Sequence, residues 1–177
     1  MNRERASIRA SFTARNQLDA GVIARPSSAG MSAFHLRRAR PGEAAALARI
    51  HVDARDAIPL TNALHTFEEV TAYHARLIAA VDVRVAADKA DDPIAYAARD
   101  GDVLAQLYVT PAHVRQGVGE ALLAAMRGES ALKLWCFAHN ARGLAFYRRF
   151  GAVEIGREEG PENEEGLPAI QLALTKL

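Results

Sequence analysis

Apolar residues recur three and four positions apart in several stretches of the chain, which is the spacing of one face of a helix. The first stretch opens at Pro41-Gly42-Glu43 and runs to Ile58, and Pro59 predicts its end because proline cannot continue a helix. Further stretches begin near residues 67, 118 and 141. The pattern therefore predicts about four helices. Their expected buried stripes are Leu47, Ile50, Ala54, Ala57 and Ile58; Val70, Tyr73 and Leu77; Val118, Ala121, Leu122, Ala125 and Met126; and Leu144, Phe146, Tyr147 and Phe150.

Polar residues and glycines mark the expected helix ends. Thr66 and Glu69 have the spacing of a capping box, in which each side chain accepts a hydrogen bond from the other residue's backbone N–H. Asn140 is suited to cap the fourth helix at its start, and Gly151 to end it. Gly128 stands in the same position after the third helix.

Alternation of apolar and polar residues predicts the strands. Val81, Val83 and Val85 alternate with charged residues, which is typical of a half-buried strand. Other strands are expected at 34–38, 94–98, 103–109, 131–137, 153–157 and 169–174, and Asp100-Gly101 predicts a hairpin turn. The order β-α-α-β-β-β-α-β-α-β-β predicts one mixed α/β domain with a twisted, mostly antiparallel central sheet of about six or seven strands. The strand–helix–strand unit around residue 118 should be parallel and right-handed.

The bulk composition narrows the class of protein. A chain of 177 residues with a net charge of +1 suits one domain and gives no support for nucleic-acid binding, which needs a basic surface. Cys136 stands alone, so an internal disulfide is excluded and a reducing compartment is favoured. The longest apolar run falls short of the ~18 residues of a membrane span. We therefore expect a cytoplasmic protein that does not act at membranes.

Residues 1–30 differ from the rest of the chain. They carry five arginines against two acidic residues and show almost no apolar periodicity. This composition predicts a disordered extension in front of a domain of residues 31–177. The sequence leaves open two alternatives, a transit peptide and a true start at Met31.

Two glycines, Gly117 and Gly119, stand one residue apart where the third helix begins, in "VRQGVGEALL". A helix N-terminus presents unpaired N–H groups, and glycines let the backbone approach a phosphate closely. A Rossmann site needs a third glycine where Leu122 stands, and no Gly-Lys-Ser/Thr of a P-loop occurs. A tight turn without a ligand is the structural alternative.

A second stretch, "NARGLAFYRRFGA" at residues 140–152, contains Tyr147 among core positions. A phenol with a pKa near 10 is close in acidity to a departing thiolate and can protonate it as a general acid. Most of this helix is expected to be core, and a purely structural tyrosine is the alternative.

Together the two stretches resemble the GNAT superfamily of N-acetyltransferases, which use acetyl-CoA. The family pattern of a strand ending in Leu-Tyr-Val, a proline, Arg/Gln-x-x-Gly-x-Gly/Ala and Leu-Leu stands here as "LYVTPAHVRQGVGEALL". The family's downstream Asn, Ala, Phe-Tyr and Gly-Phe stand as "NARGLAFYRRFGA". The two motifs and the element order span residues 34 to 177, and the resemblance implies a single-domain GNAT-like fold.

The resemblance also implies roles for individual residues. The backbone from Arg115 to Glu120 would hold the coenzyme A pyrophosphate, and Leu107 and Val109 would pair with the pantetheine arm like an added strand. The Val109 N–H would polarise the thioester carbonyl, and Tyr147 would protonate the leaving thiolate. The implied cofactor-binding set is Leu107, Tyr108, Val109, Val114, Arg115, Gln116, Gly117, Val118, Gly119, Glu120, Asn140 and Tyr147. The acyl transfer would be direct, without an acyl-enzyme and without a metal.

Three positions depart from the family pattern. Val114 stands where the family has Arg or Gln, and Arg115 where it often has Gly. Val114 removes a side-chain donor to phosphate, worth about 1–3 kcal/mol when charge-assisted, and Arg115 can replace it from the next position. Ala152 replaces the family's Phe and affects the core.

The acceptor side is less determined. His65, just before the second helix, is the candidate for lining the acceptor site, and no residue stands out as the general base. His51 and Asp53 are expected to face solvent, His113 to be solvated, and His139 to pack or cap. Cys136 and His139 alone do not make a metal site. The acidic loop "EEGPENEEG" is most simply a solvated loop, with attraction of a cationic acceptor as the alternative.

The sequence thus predicts an N-acetyltransferase that acts on a primary amine of a small molecule. A protein N-terminus or lysine is the alternative acceptor. A non-catalytic acyl-CoA sensor is the alternative function, since Val114 weakens the expected phosphate site. The oligomeric state stays open, with a homodimer as one alternative.

Overall fold

The computed structural model describes residues 34–57, 64–127, 131–161 and 163–175. These residues form seven strands and four α-helices, in the predicted order. The strands are β1 His35–Arg38, β2 Asp82–Ala87, β3 Pro93–Asp100, β4 Val103–Val109, β5 Leu132–Phe137, β6 Ala152–Glu158 and β7 Ala169–Leu174. The helices are α1 Ala44–Asp56, α2 Phe67–Ala80, α3 Val118–Arg127 and α4 Ala141–Arg149, and 3₁₀ turns occupy Pro41–Glu43 and Pro111–His113.

The strands form one sheet in the order β1-β2-β3-β4-β5-β7-β6. Five of the six neighbouring pairs are antiparallel, and the β4–β5 pair is parallel. The predicted fold class, a mixed and mostly antiparallel sheet flanked by four helices, is confirmed. The parallel pair is the predicted strand–helix–strand unit, with α3 as the connecting helix.

The two faces of the sheet carry separate cores. On one face α1 and α2 cover β2, β3 and β4, and Tyr96 and Tyr108 are at the centre of that core. On the other face α3 and α4 cover β3, β4, β5 and β7, with Leu107, Leu122 and Tyr147 in the core. Because side chains alternate along a strand, neighbouring residues of β4 belong to different cores.

The predicted capping signals are confirmed. The Glu69 N–H donates to Thr66 Oγ1 at 3.2 Å, and the Thr66 N–H donates to Glu69 Oε2 at 2.8 Å. Asn140 caps α4 by accepting from the Gly143 N–H at 2.9 Å, and Gly151 after the helix has a φ of +82°. The Asp100-Gly101 hairpin also forms, with Gly101 at a φ of +61°.

Some predicted stripe positions differ in the structure. Ala57 and Ala125 are exposed, whereas Leu123, which the stripe omitted, is buried in α3. A short alanine at the edge of a stripe gains little from burial, so the larger leucine occupies the core instead. Ile58, Pro59, Gly128 and the predicted extension at 1–30 lie outside the described residues. Within the described part of the chain, the helices are too short or too polar to cross a bilayer.

Candidate functional site

The candidate site begins where β4 and β5 separate. Among the described residues, their ladder consists of the Val103–Lys133 pair, beside which the Lys133 N–H donates to Asp102 O at 2.7 Å. Beyond this pair the two strands diverge toward their carboxyl ends. A sheet that opens in this way offers the upper edge of β4 to a ligand in place of a strand.

The backbone of β4 is oriented so that Leu107 and Val109 face this opening. The Thr110 N–H donates to Ile94 O of β3 at 3.0 Å, and Tyr108 pairs with Tyr96 of the same strand. Because peptide groups alternate along an antiparallel strand, the N–H groups of Leu107 and Val109 point away from β3. They are directed toward the opening between β4 and β5.

The loop after β4 has an unusual backbone. Arg115 has a φ of +67° and Gly117 a φ of +80°, on either side of Gln116. Left-handed residues in such a run turn successive N–H groups toward a common point, which makes an anion-binding concavity. A Cβ on Gly117 would meet nothing within 4 Å, so the glycine is required for its φ and not for space.

Helix α3 starts directly after this loop, at Val118. Its first-turn N–H groups have no intrahelical acceptor, and its positive dipole end favours an anion at the loop. Arg115, Gln116 and Gly117 are exposed, so a ligand can reach the loop from solvent. The loop is thus an accessible backbone concavity whose geometry suits an anion.

Val114 has a structural reason to be apolar. Its side chain packs against the core cluster on the α3–α4 face. The residue therefore anchors the loop to the core, and any contact with phosphate at this position comes from the backbone. Arg115 takes the left-handed conformation that glycine favours, at a cost of about 1–2 kcal/mol for a residue with a Cβ.

Helix α4 follows β5, the strand on the other side of the opening, and we call its N-cap Asn140 together with Tyr147 the α4 wall. The Asn140 Nδ2 and the Tyr147 hydroxyl are both buried, and neither finds a hydrogen-bond partner among the described residues. A buried polar group without a partner costs about 1–3 kcal/mol. Two such groups in the α4 wall are therefore available to a ligand that reaches them.

The wall is closely packed around Gly143. A Cβ on Gly143 would lie 2.6 Å from Asn140 Nδ2 and 3.1 Å from Cys136 Sγ. Glycine is thus required here for space, because the Asn140 side chain folds back onto the first turn of α4. The capping bond fixes Asn140 Oδ1 and leaves Nδ2 available.

Burial determines the protonation states in this wall. It raises the pKa of Tyr147 well above its usual value of 10, so the phenol carries its proton at neutral pH. Burial also raises the pKa of the Cys136 thiol to about 12. Cys136 is therefore a neutral thiol and unsuited to act as a nucleophile.

Three of the candidate histidines have identifiable neighbours in the structure. His65 is partly exposed, and its Nε2 lies 3.3 Å from Glu164 Oε2, which joins the start of α2 to the loop between β6 and β7. His139 stacks on Phe137 with ring centroids 5.5 Å apart, and His113 hydrogen-bonds Thr110 at 2.8 Å. The described residues contain no cluster of three metal-ligating side chains.

The expectation that His51 faces solvent is wrong. His51 is 2% exposed, and its ring stacks on Tyr108 at 4.6 Å with an interplanar angle of 17°. Residue 51 follows Leu47 by one helical turn, so it continues the buried stripe that the apolar residues mark. Burial lowers the pKa of His51 well below 6.5, which keeps the ring neutral. Asp53 is half-exposed and lies 3.8 Å from Arg49.

A buried chain of polar side chains next to β4 was not predicted from the sequence. Its residues are His74 on α2, Tyr96 on β3, and Gln106 on β4, followed by Tyr73 on α2. Two signals were available: His74 lies four residues after Val70, on the predicted buried face, and Gln106 interrupts an apolar strand.

Comparison with known proteins shows similarity to acetyltransferases in domain and fold. A family model described as "Acetyltransferase (GNAT) domain" matches residues 75–151, which include β2 to β5, α3 and α4. No curated protein matches the chain.

Three solved structures illustrate the likeness in fold. A GCN5-related N-acetyltransferase from Rhodopseudomonas palustris is 25% identical, with 85% of this chain and 100% of that chain covered and a TM-score of 0.63. The putative acetyltransferase yncA from Salmonella typhimurium, solved with its cofactor acetyl-CoA, is 20% identical, with 80% and 93% covered and a TM-score of 0.61. A ribosomal-protein-alanine N-acetyltransferase from Brucella melitensis is 22% identical, with 81% and 99% covered and a TM-score of 0.61.

Proposed function

We propose that the chain is an acetyltransferase of the GNAT superfamily, which the match to the GNAT domain model over residues 75–151 supports. In this proposal it transfers an acetyl group from acetyl-CoA to a primary amine of a small molecule. The observation that carries the proposal is the opening between β4 and β5, with a backbone anion cradle at one end. An open strand edge beside a phosphate cradle suits a ligand that has both an amide-rich arm and a diphosphate, and coenzyme A has both.

The cofactor is held largely by backbone groups in this proposal. The pyrophosphate lies against the N–H groups from Arg115 to Glu120, at the positive end of α3. The pantetheine arm takes the place of a strand beside Leu107, Tyr108 and Val109, and Asn140 Nδ2 donates to one of its carbonyl groups. The unpartnered state of Asn140 Nδ2 supports that last contact.

The acyl transfer is direct. The neutral amine nitrogen forms a bond to the thioester carbonyl carbon, and the Val109 N–H stabilises the oxyanion that develops. The carbon–sulfur bond then breaks, and the Tyr147 hydroxyl gives its proton to the departing thiolate. The amine nitrogen loses its proton to solvent, and the Tyr147 phenolate takes a proton back from solvent after coenzyme A leaves. Burial keeps Tyr147 protonated, which the role of acid requires, and the neutral, buried Cys136 argues against an acyl-enzyme.

The acceptor enters beside His65 and the loop between β6 and β7. His65 contacts Glu164 of that loop and Glu69 of α2, so this edge carries carboxylates that favour a cationic amine. A cytoplasmic setting, with its reducing conditions, fits the single buried thiol.

A thiol-release assay tests the proposal. Purified full-length protein is mixed with acetyl-CoA and a panel of small primary amines, and free coenzyme A is measured with a thiol reagent. A second arm uses a peptide with an N-terminal alanine, because a protein of similar fold is named for that substrate. We expect turnover with at least one small amine and a drop in kcat of ~10²-fold in Tyr147→Phe, the usual scale for losing a general acid.

Two further results would change the assignment. Turnover with the peptide and with none of the amines would move the acceptor to protein N-termini. Calorimetric binding of acetyl-CoA without turnover in either arm, equal in wild type and Tyr147→Phe, would replace catalysis with an acyl-CoA sensor. NADH, which lacks the pantetheine arm, serves as the binding control.

A further inference from the structure

A chain of buried polar side chains joins α2, β3 and β4 next to the cofactor opening. His74 Nε2 lies 2.7 Å from the Tyr96 hydroxyl, and that hydroxyl lies 2.7 Å from Gln106 Oε1. Gln106 Nε2 lies 3.2 Å from the Tyr73 hydroxyl. We call His74, Tyr96, Gln106 and Tyr73 the polar chain. All four residues are at most 3% exposed.

Such a chain is costly to keep in a core. An apolar substitute of the same shape often stabilises as well, whereas a half-satisfied polar network is destabilising. Buried polar networks therefore need a reason other than stability, and fixing one arrangement of the backbone is such a reason. In this protein the backbone that the polar chain can fix is that of β4.

Strand β4 is supported unequally along its two edges. One edge pairs with β3 from Asp100–Val103 to Ala95–Val109. The other edge loses its pairing with β5 beyond Val103–Lys133 among the described residues. Gln106 is adjacent to Leu107 in the unsupported part, and its side chain points to the α1–α2 face, where the polar chain connects it to α2.

The partners identify the donors and acceptors of the polar chain. His74 Nδ1 lies 2.7 Å from Val70 O, and a carbonyl can only accept, so Nδ1 carries a proton. In a neutral ring Nε2 is then an acceptor. The single proton of the Tyr96 hydroxyl thus lies between two acceptors, His74 Nε2 and Gln106 Oε1, each at 2.7 Å, and the Gln106 Nε2–H donates to the Tyr73 hydroxyl.

The neutral ring is the form that the surroundings favour. The groups near His74 are the rings of His51, Tyr73 and Tyr96 and the Val70 carbonyl, and none of them carries a formal negative charge at neutral pH. Burial lowers the pKa of His74 to about 4. The Tyr96 hydroxyl is therefore the central donor of the polar chain, between His74 and Gln106.

We propose that His74, Tyr96 and Gln106 are positioning residues for acetyl-CoA, because they hold the upper half of β4 in place where β5 has left it. The proposal rests on the proposed function in one respect, namely that Leu107 and Val109 bind the cofactor. The three residues do not touch the reacting atoms. They act through β4, whose peptide groups must stay aligned to meet the pantetheine arm.

Four variants test the proposal by calorimetric titration with acetyl-CoA at pH 7.5. Tyr96→Phe removes the central hydroxyl and keeps the ring, and His74→Leu removes the acceptor of that hydroxyl. His74→Gln restores an amide oxygen near the position of Nε2. Thr71→Val is the matched control, because it deletes a half-buried hydroxyl on α2 that donates to Phe67 O at 2.8 Å and lies outside the polar chain.

We expect acetyl-CoA to bind about tenfold more weakly to Tyr96→Phe and His74→Leu, which corresponds to ~1.4 kcal/mol. Binding to His74→Gln and Thr71→Val should stay within about twofold of wild type, well under that tenfold step. Equal affinity in all four variants, or an equal loss in Thr71→Val, would overturn the positioning role. A merely structural role would not separate His74→Gln from His74→Leu at matched unfolding free energy.

Amide hydrogen exchange gives a second measurement that needs no ligand. In Tyr96→Phe the Tyr108 and Thr110 amides, which pair with β3, should exchange about tenfold faster, while the Val85 amide of β2 keeps its rate. Unchanged exchange at Tyr108 and Thr110 would overturn the positioning role even if wild type binds acetyl-CoA. Faster exchange together with a wild type that does not bind acetyl-CoA would support the positioning of β4 and refute the proposed function.

Discussion

The buried imidazole of His74 should make the stability of this protein depend steeply on pH. Burial lowers its pKa from 6.5 to about 4 in the folded chain. Between these values the unfolded chain binds a proton that the folded chain does not, so the free energy of unfolding falls as the pH falls. The contribution is complete above pH 6.5 and is lost as the pH approaches 4.

The magnitude follows from the two pKa values. Each pH unit within that interval is worth up to ~1.4 kcal/mol per histidine, so lowering the pH from 7 to 5 should remove about 2 kcal/mol through His74. His51 acts in the same direction, because burial lowers its pKa as well. A loss of this size is a large fraction of the ~5–15 kcal/mol that holds a domain folded.

Urea denaturation followed by circular dichroism at pH 7, 6 and 5 measures the effect. His74→Gln cannot titrate in this range, so it should lose about 2 kcal/mol less than wild type between pH 7 and pH 5. Ile78→Val, a half-buried change on the same helix, is the control and should lower stability by about 0.5–1.5 kcal/mol equally at each pH. An identical pH dependence in His74→Gln and wild type would refute the reasoning.

Three further sets of substitutions test the structural roles of Gly143, of the loop residues Arg115 and Gly117, and of the helix cap Thr66. Gly143→Ala places a methyl group 2.6 Å from Asn140 Nδ2, so it should lower the unfolding free energy by about 1–3 kcal/mol; the ordinary alanine gain in a helix, seen by thermal denaturation, would contradict this. Gly117 has a φ of +80° and open space around a new methyl group, so Gly117→Ala should lower the unfolding free energy by about 1–2 kcal/mol through backbone strain alone. Arg115→Gly should relieve backbone strain and keep acetyl-CoA affinity within about twofold of wild type. A large loss of affinity in Arg115→Gly would assign the binding to the Arg115 side chain. Thr66→Ala should lower the midpoint of urea unfolding by an amount equal to about 1 kcal/mol, and Thr66→Ser should preserve it; equal losses in the two variants would show that the cap does not stabilise α2.

The chain order of helices and strands was predictable because local signals agree with the tertiary structure. The capping box at Thr66 and Glu69, the Asp100-Gly101 turn and the Asn140 cap all form as predicted. Each of these depends on residues within four positions of one another. Tertiary packing preserves these caps and this turn. The fold class could therefore be predicted from the order of the helices and strands.

The backbone of the loop in the candidate site was predictable from the sequence, whereas the orientation of its side chains was not. The loop motif located Gly117 and the start of α3, but the sequence alone made Val114 look like a lost phosphate donor. In the structure its side chain packs into the core beside α3. Whether a loop residue faces a ligand or the core depends on elements far away in the chain, which a local motif does not contain.

His51 likewise shows that local sequence does not determine the environment of a side chain. His51 was expected in solvent because a polar residue beside an apolar stripe usually faces water. Its ring is instead covered by Tyr108 and His74, which come from β4 and α2. The environment of a titratable group, and hence its pKa, is set by residues distant in sequence.

The sequence by itself determined the elements, their order and the two motifs, because helical and strand periodicity, caps and turns are short-range effects. Only the tertiary structure decided that β4 and β5 part above Val103 and Lys133. It also decided that buried polar atoms of Asn140 and Tyr147 find no partner among the described residues, and that Gln106 is connected to His74 through Tyr96. These features depend on how strands diverge and on which side chains meet across 10 to 99 residues of chain. Such long-range meetings are fixed by the packing of the whole domain and leave little trace in any single stretch of sequence.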